Sequence, residues 1–346
     1  IDEIVEDGDG DFLWLGAYDR HIYRFDKKSG IFVSLSDLLQ NTEIGKITFS
    51  RILAVSGSDI WLRTEHAGIL LLRNSSSDHP KAIWFSQKAQ PSHRIPSNDI
   101  TLFHLDQAKN VWLSSALGTR IVQLHASGEY IVRYLDDLKG ISPTYVTNTK
   151  TGVVMGTSNG MILSFDRNSR MSSKKLVTKQ AINHILLSKS GSLYFTTSGG
   201  SLLEIDKLGS VKTVFTTKQS TAMGYIFEDS SGVLWLGSQR HGVIRFDPKI
   251  NKANYFYPEK DYLVHERVKN FTAFEDRAGT VHLNFDGQIS FYDARNNKLS
   301  LLSDRLNNYP RSKNVVRYYY DPVGVLWVGS GYDGIDKMVF QENPFT

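Results

Sequence analysis

The chain has 346 residues, no cysteine, 27 glycines, 9 prolines and 6 tryptophans, and its 40 Lys+Arg nearly balance 36 Asp+Glu. Disulfide scaffolds, zinc-thiolate sites and cysteine nucleophiles are therefore excluded, and a formal charge of +4 spread along the chain gives no nucleic-acid footprint. Hydrophobic content of 40% excludes a disordered chain, and no apolar run approaches the ~20 residues that span a bilayer.

In chain order, Ile4-Val-Glu-Asp7 reads as a strand, followed by Asp11-Phe-Leu-Trp-Leu-Gly16 and then Ile22-Tyr-Arg-Phe-Asp26. No leader pattern precedes them. A single helical turn is expected at 36–39. The Trp14 frame then returns as Ser58-Asp-Ile-Trp-Leu-Arg63 and Asn110-Val-Trp-Leu-Ser114, with a further helical turn expected at 136–138. Gly152-Val-Val-Met-Gly-Thr157 puts Val154 at the tryptophan position, Gly191-Ser-Leu-Tyr-Phe-Thr-Thr197 puts Tyr194 there, and Gly279-Thr-Val-His-Leu-Asn284 puts His282 there. A third helical turn is expected at 303–306. Gly324-Val-Leu-Trp-Val-Gly-Ser330 carries the last copy.

The sixth copy is the cleanest. Tyr225-Ile-Phe-Glu-Asp229 reads as a strand, and Asp229-Ser-Ser-Gly232 as a turn in which Asp bonds local N–H groups and Gly takes the positive φ. Val233 to Gly237 is an apolar strand expected to be buried on both faces. Val243-Ile-Arg-Phe-Asp247 follows, and Asn254-Tyr-Phe-Tyr257 is a more exposed fourth strand. The markers at 14, 61, 112, 154, 194, 235, 282 and 327 are spaced at a mean near 45 residues. That period, with four antiparallel strands per copy, predicts an all-β chain forming a single β-propeller over 1–346, with eight blades favoured over seven. The marker side chains are expected to fill the wedges between blades, and the glycine after them to let backbones approach closely.

No local motif carries catalysis. Asp7-Gly-Asp-Gly-Asp11 lacks the glycine and terminal acid of an EF-hand, since those positions hold Phe12 and Tyr18, and reads as a polar hairpin turn. No two of the ten histidines stand at a metal-ligand spacing, and no nucleophile elbow or P-loop occurs. The expectation is no enzyme, no metal and no cofactor. The turns between second and third strands gather polar residues at one mouth of a propeller. Tyr18, Arg20, His66, Arg120, Arg240, His241, Tyr332 and Asp333 are the candidate ligand-binding residues. Arginine offers a fork for carboxylates and tyrosine a stacking face for sugars. Connections leading into the blades add His93, Arg94, Ser97, Asn98, Asp99, Tyr145, Arg267, Lys269, Asn270 and residues 311–314.

The pattern from Phe227 to Asp247 resembles the two-component regulator propeller repeat; the resemblance covers the chain, strongly in copies one, six and eight. It implies a non-catalytic, periplasmic sensor domain of a hybrid two-component protein or a propeller-bearing diguanylate cyclase. Such a domain is tethered to a membrane helix in the full chain and binds a small ligand such as an oligosaccharide or an anion, or a periplasmic protein; a homodimer is compatible with it. Two other readings stay open. Asp106-Gln-Ala-Lys-Asn-Val-Trp112 is similar to the repeat of the virginiamycin B lyase family, but the His-x-His of such lyases is missing. A protein-interaction scaffold without a small ligand is the third.

Overall fold

A computed structural model describes residues 1, 3–17, 19–41, 44–125, 129–217, 221–238, 242–256, 271–285, 288–302, 315–330 and 334–339. The fold is a β-propeller of eight blades, each an antiparallel sheet with its strands in sequence order. Seven blades have four strands, and blade eight has three among the described residues. The chain divides into two compact units, Ile1–Gly140 with Pro310–Thr346, and Ile141–Tyr309. The first holds blades one, two, three and eight; the second holds blades four to seven.

Blade six shows why these residues make these strands. Its strands are Met223–Glu228, Leu234–Ser238, Gly242–Asp247 and Lys252–Phe256. The second is buried at every position, as a strand covered on both faces must be, while the fourth is only partly covered. The turn joining the first two is organised by Asp229, whose Oδ1 accepts the backbone N–H groups of Ser231 and Val233 at 3.0 Å each. Gly232 closes it at φ 84°, a region costly for any side chain.

The eight marker side chains are buried, and most pack on the following blade of the same unit. Trp14 meets Ile60, Leu62 and Leu70 of blade two, and Trp61 meets Val111 and Leu113 of blade three. Trp235 meets Val281 and Leu283 of blade seven, and Trp327 meets Leu13 and Leu15 of blade one. Tyr194 and Val154 occupy the same wedge in their blades. Glycine two residues after the marker permits the approach. A Cβ on Gly237 would lie 2.8 Å from Phe271, and one on Gly156 would lie 2.6 Å from Ile182.

The same turn aspartate also holds the marker ring, a role beyond local backbone bonding. Asp106, Asp229 and Asp321 each accept the indole N–H of the tryptophan six residues on, at 2.9–3.0 Å. In blade seven the histidine at the marker position keeps the arrangement, with His282 Nε2 at 2.8 Å from Asp276 Oδ2 and the ring stacked on Phe274.

A helical turn spans Leu35–Leu38, capped by Ser34, and a 3-10 turn spans Asp136–Leu138, as the sequence suggests. Two more 3-10 turns, Ile44–Lys46 and Pro91–His93, were not expected; residues 303–306 lie outside the described residues.

Candidate functional site

In the first unit, the turn between the second and third strands of blade one positions Arg20. Its carbonyl accepts the Phe49 N–H of blade two at 2.9 Å, and its guanidinium pairs with Glu65, in the corresponding turn of blade two. Arg20 holds φ 66°, a left-handed conformation uncommon for a side-chain-bearing residue, stabilised by its own N–H donating to Ala17 O. The exposed Asp19 braces the turn by accepting the His21 N–H and the Tyr23 hydroxyl, both at 3.0 Å. Burial works to raise the Asp19 pKa, but these donors and the His21 ring outweigh it and lower the value.

Beneath the Arg20–Glu65 pair lies a recess of about 230 Å³, lined among others by Glu3, Arg51, His21 and Phe49. Arg51 Nε donates to Glu3 Oε1 at 2.9 Å, and the Ile52 N–H donates to the other carboxylate oxygen. Burial still leaves the Glu3 pKa raised, against the opposing pull of Ile52, Arg51 and Arg317. Arg63 is fixed alongside by Ser50 Oγ and the Ile100 carbonyl. The recess is thus walled by alternating, internally paired charges with their outer edges in solvent; the Arg20 side chain is 57% exposed.

His66 adjoins this region. Asn98, in the connection leading into blade three, donates to the His66 carbonyl at 2.7 Å, and the His66 ring stands 3.8 Å from Asp99. Arg120 goes elsewhere. It lies across from Tyr134 on the outermost strand of blade three, with its guanidinium 3.8 Å from that ring and donating to Thr119 O. Arg20 and the turn of His66 are therefore brought together, and Arg120 shares no partner with them. Tyr18, Arg240, His241, Tyr332 and Asp333 lie outside the described residues, as do Arg267, Lys269, Asn270 and 311–314 of the connections.

In the second unit, a row of rings runs along the first strands of blades four to six and ends at Phe271, just ahead of the first strand Thr272–Glu275 of blade seven. Tyr145 lies 4.1 Å from His184, His184 lies 4.9 Å from Tyr225, and Tyr225 lies 5.9 Å from Phe271. Bulges before these positions aim side chains at the neighbouring strand: Thr144 donates to Ile182 O at 2.5 Å, and Asn183 to Met223 O at 2.8 Å. Burial between rings pushes the His184 pKa down to about 4, so its imidazole is neutral at pH 7. Of this row only Tyr145 was singled out from sequence. The signal for His184 and Tyr225 was available, since each stands ten residues before its marker.

Among the described residues, no group of three or more His, Asp or Glu is arranged to hold a metal ion. Among the same residues, no helix is long and apolar enough to cross a membrane.

No protein-family model matches the chain, and no curated protein matches it in sequence. Solved structures match it in shape. The Dos1 propeller aligns with a TM-score of 0.69 over 97% of this chain and 91% of that one, at 14% identity. Virginiamycin B lyase from Staphylococcus aureus aligns with a TM-score of 0.57 over 85% of this chain and 99% of that one, at 12% identity. An extracellular domain assigned to the hybrid two-component system BT3049 from B. thetaiotaomicron aligns at 0.48 and 15% identity, covering 98% of this chain and 52% of that one. At these identities the likeness is one of fold, and function has to be argued from the site.

Proposed function

We propose that this chain is a non-catalytic sensing module, the periplasmic part of a bacterial two-component or cyclic-dinucleotide signalling protein that is joined to a membrane helix. The repeat pattern from Phe227 to Asp247 supports the signalling assignment. Its ligand is a hydroxyl-rich small molecule, with oligosaccharides as the class. It is taken in the first unit, at the end of blades one and two that bears the turns between second and third strands, by Arg20 and His66.

The observation that carries this reading is the Arg20–Glu65 pair above the Glu3–Arg51 recess. An exposed pair of this kind holds the turns by only about 0–1 kcal/mol, so a ligand can open it readily. A bare anion would satisfy Arg20 and strand Glu65. A polyol supplies donors to Glu65 and acceptors to Arg20 together, which favours sugars over simple acids.

A thermal-shift panel of neutral oligosaccharides and organic acids tests it. An oligosaccharide at one hundred times its Kd should stabilise the protein by about 2.7 kcal/mol. Arg20→Ala should weaken that response and change the unliganded melting temperature little. A flat panel, or an unaltered response in Arg20→Ala, would refute the assignment.

A further inference from the structure

The internal repeat allows one blade to be compared with another at the residue across from the marker tryptophan. In blade one this is Arg24, opposite Trp14; in blade six it is Arg245, opposite Trp235. Arg24 is buried and fully engaged. Its Nη1 donates to the carbonyls of Ser75 at 2.9 Å and Ser77 at 2.7 Å, and the exposed Asp78 carboxylate stands 3.7 Å away. These acceptors belong to residues 74–80, the long turn between the third and fourth strands of blade two.

The corresponding turn of blade seven is only residues 294–297, between Gln288–Asp293 and Lys298–Leu301. Its Asn297 Oδ1 reaches blade six and accepts from Asn254, the cross-strand neighbour of Arg245, at 3.1 Å, but among the described residues the turn brings no acceptor to Arg245 itself. In the place that the blade-two turn fills, blades six and seven leave a recess of about 670 Å³. Arg245 lines it, 5.9 Å from the Trp235 ring and 5.3 Å from the Tyr292 ring, with a buried Nε that has no partner. No hydrogen bond or ion pair holds its guanidinium among the described residues, whereas the acids around it are committed. Asp229 accepts from Trp235, Ser231 and Val233, Glu275 from the Ser230 N–H and hydroxyl, and Asp293 from Arg295 and Asn296. The recess therefore has a surplus of donors but not of positive charge, because Arg245 and Arg295 face three carboxylates.

We propose that this recess is a second binding site, and that it takes a short polar peptide segment whose backbone carbonyls hydrogen-bond Arg245, as the blade-two turn does for Arg24. A fork lacking acceptors in a half-buried site favours a ligand that brings carbonyl oxygens. The three nearby carboxylates disfavour a ligand that brings another negative charge. The site lies at the end of blades six and seven that carries the Asp-x-x-Gly turns, so it is independent of the sugar site proposed above.

The test is fluorescence anisotropy with a labelled peptide copying residues 74–79, acetyl-Asn-Ser-Ser-Ser-Asp-His-amide, and its neutral version with Asn for Asp. The neutral peptide should bind at least as tightly as the acidic one. Arg245→Met keeps the stem against Trp235 and Tyr292 but removes every donor; it should weaken binding at least tenfold with an unchanged melting temperature. Arg24→Met should lower the melting temperature and leave peptide affinity intact, and Arg20→Ala should change neither. Absence of peptide binding to the wild-type protein at millimolar concentration overturns the proposal. So does wild-type affinity in Arg245→Met, or displacement of the peptide by N-acetylglucosamine at equal concentration.

Discussion

An indole N–H buried inside a blade needs an acceptor, and the blades answer this need differently. In blades three, six and eight the turn aspartate six residues earlier supplies it. In blade two that position is Val55, and the Trp61 Nε1 is buried without a partner. Blade one has one residue more in its turn, and its Asp7 Oδ2 accepts the Ser76 hydroxyl instead, leaving Trp14 Nε1 equally alone. Trp235→Phe should cost about 2–4 kcal/mol, because it trims a filled wedge and strips a buried carboxylate oxygen of its donor. Trp61→Phe trims a similar wedge but removes an unsatisfied donor, so its cost should be smaller by about 1–3 kcal/mol. Denaturant titration of both variants checks the difference, and equal losses would show that the indole–aspartate bond contributes nothing. Much of this was legible beforehand: the Asp-x-x-Gly turn and the buried markers follow from residue types. The bond between them was hidden in a constant spacing of six, from 106 to 112 and from 229 to 235, that turn chemistry alone does not interpret.

A blade becomes an element of a larger fold through what its second strand lets the next blade do. The glycine of Trp-Leu-Gly-Ser in blade six receives the Phe271 ring, with its nearest atoms within 2.9 Å of where a Cβ would stand. Gly237→Ala should therefore destabilise by about 1–3 kcal/mol through overpacking, even though alanine suits a strand better than glycine. Gly224→Ala serves as the control, since a Cβ there meets nothing within 4 Å. Matching melting temperatures for the two variants would disprove close approach as the reason for the motif. Strands, turns and the approach glycine were readable because each leaves a local signature. The bulges at Thr144 and Asn183 were not, since nothing in Pro143-Thr-Tyr145 or Ile182-Asn-His184 distinguishes a bulge from a plain strand. The candidate site was harder still. Arg20 could be placed on its turn, but its pairing with Glu65 joins two blades, and Arg120 turns outward to Tyr134 because of a register that only the folded sheet fixes.

At the scale of the whole molecule, the eightfold period organises the core while leaving individual positions free to carry ionisable groups inside it. His184 is the clearest case. Its pKa of about 4 lies below the ordinary 6.5, so between those values the unfolded chain binds a proton that the folded chain refuses. Stability must then be complete above about pH 6.5 and decline as the pH falls toward 4, by roughly 3 kcal/mol. Asp276, which burial would raise but the His282 bond and the Thr280 N–H lower, adds a loss at more acidic pH, as its carboxylate takes up a proton. Glu3 works the other way: its raised pKa means the folded state gains protons first, which offsets part of the decline near its titration. The net expectation is a melting temperature that falls from pH 7 to pH 4.5. His184→Phe keeps an aromatic ring between Tyr145 and Tyr225 and has no proton to accept, so its melting temperature should fall much less over that range. If the variant tracks the wild-type profile, the acid sensitivity belongs to the carboxylates alone, and the ring row does not hold His184 neutral.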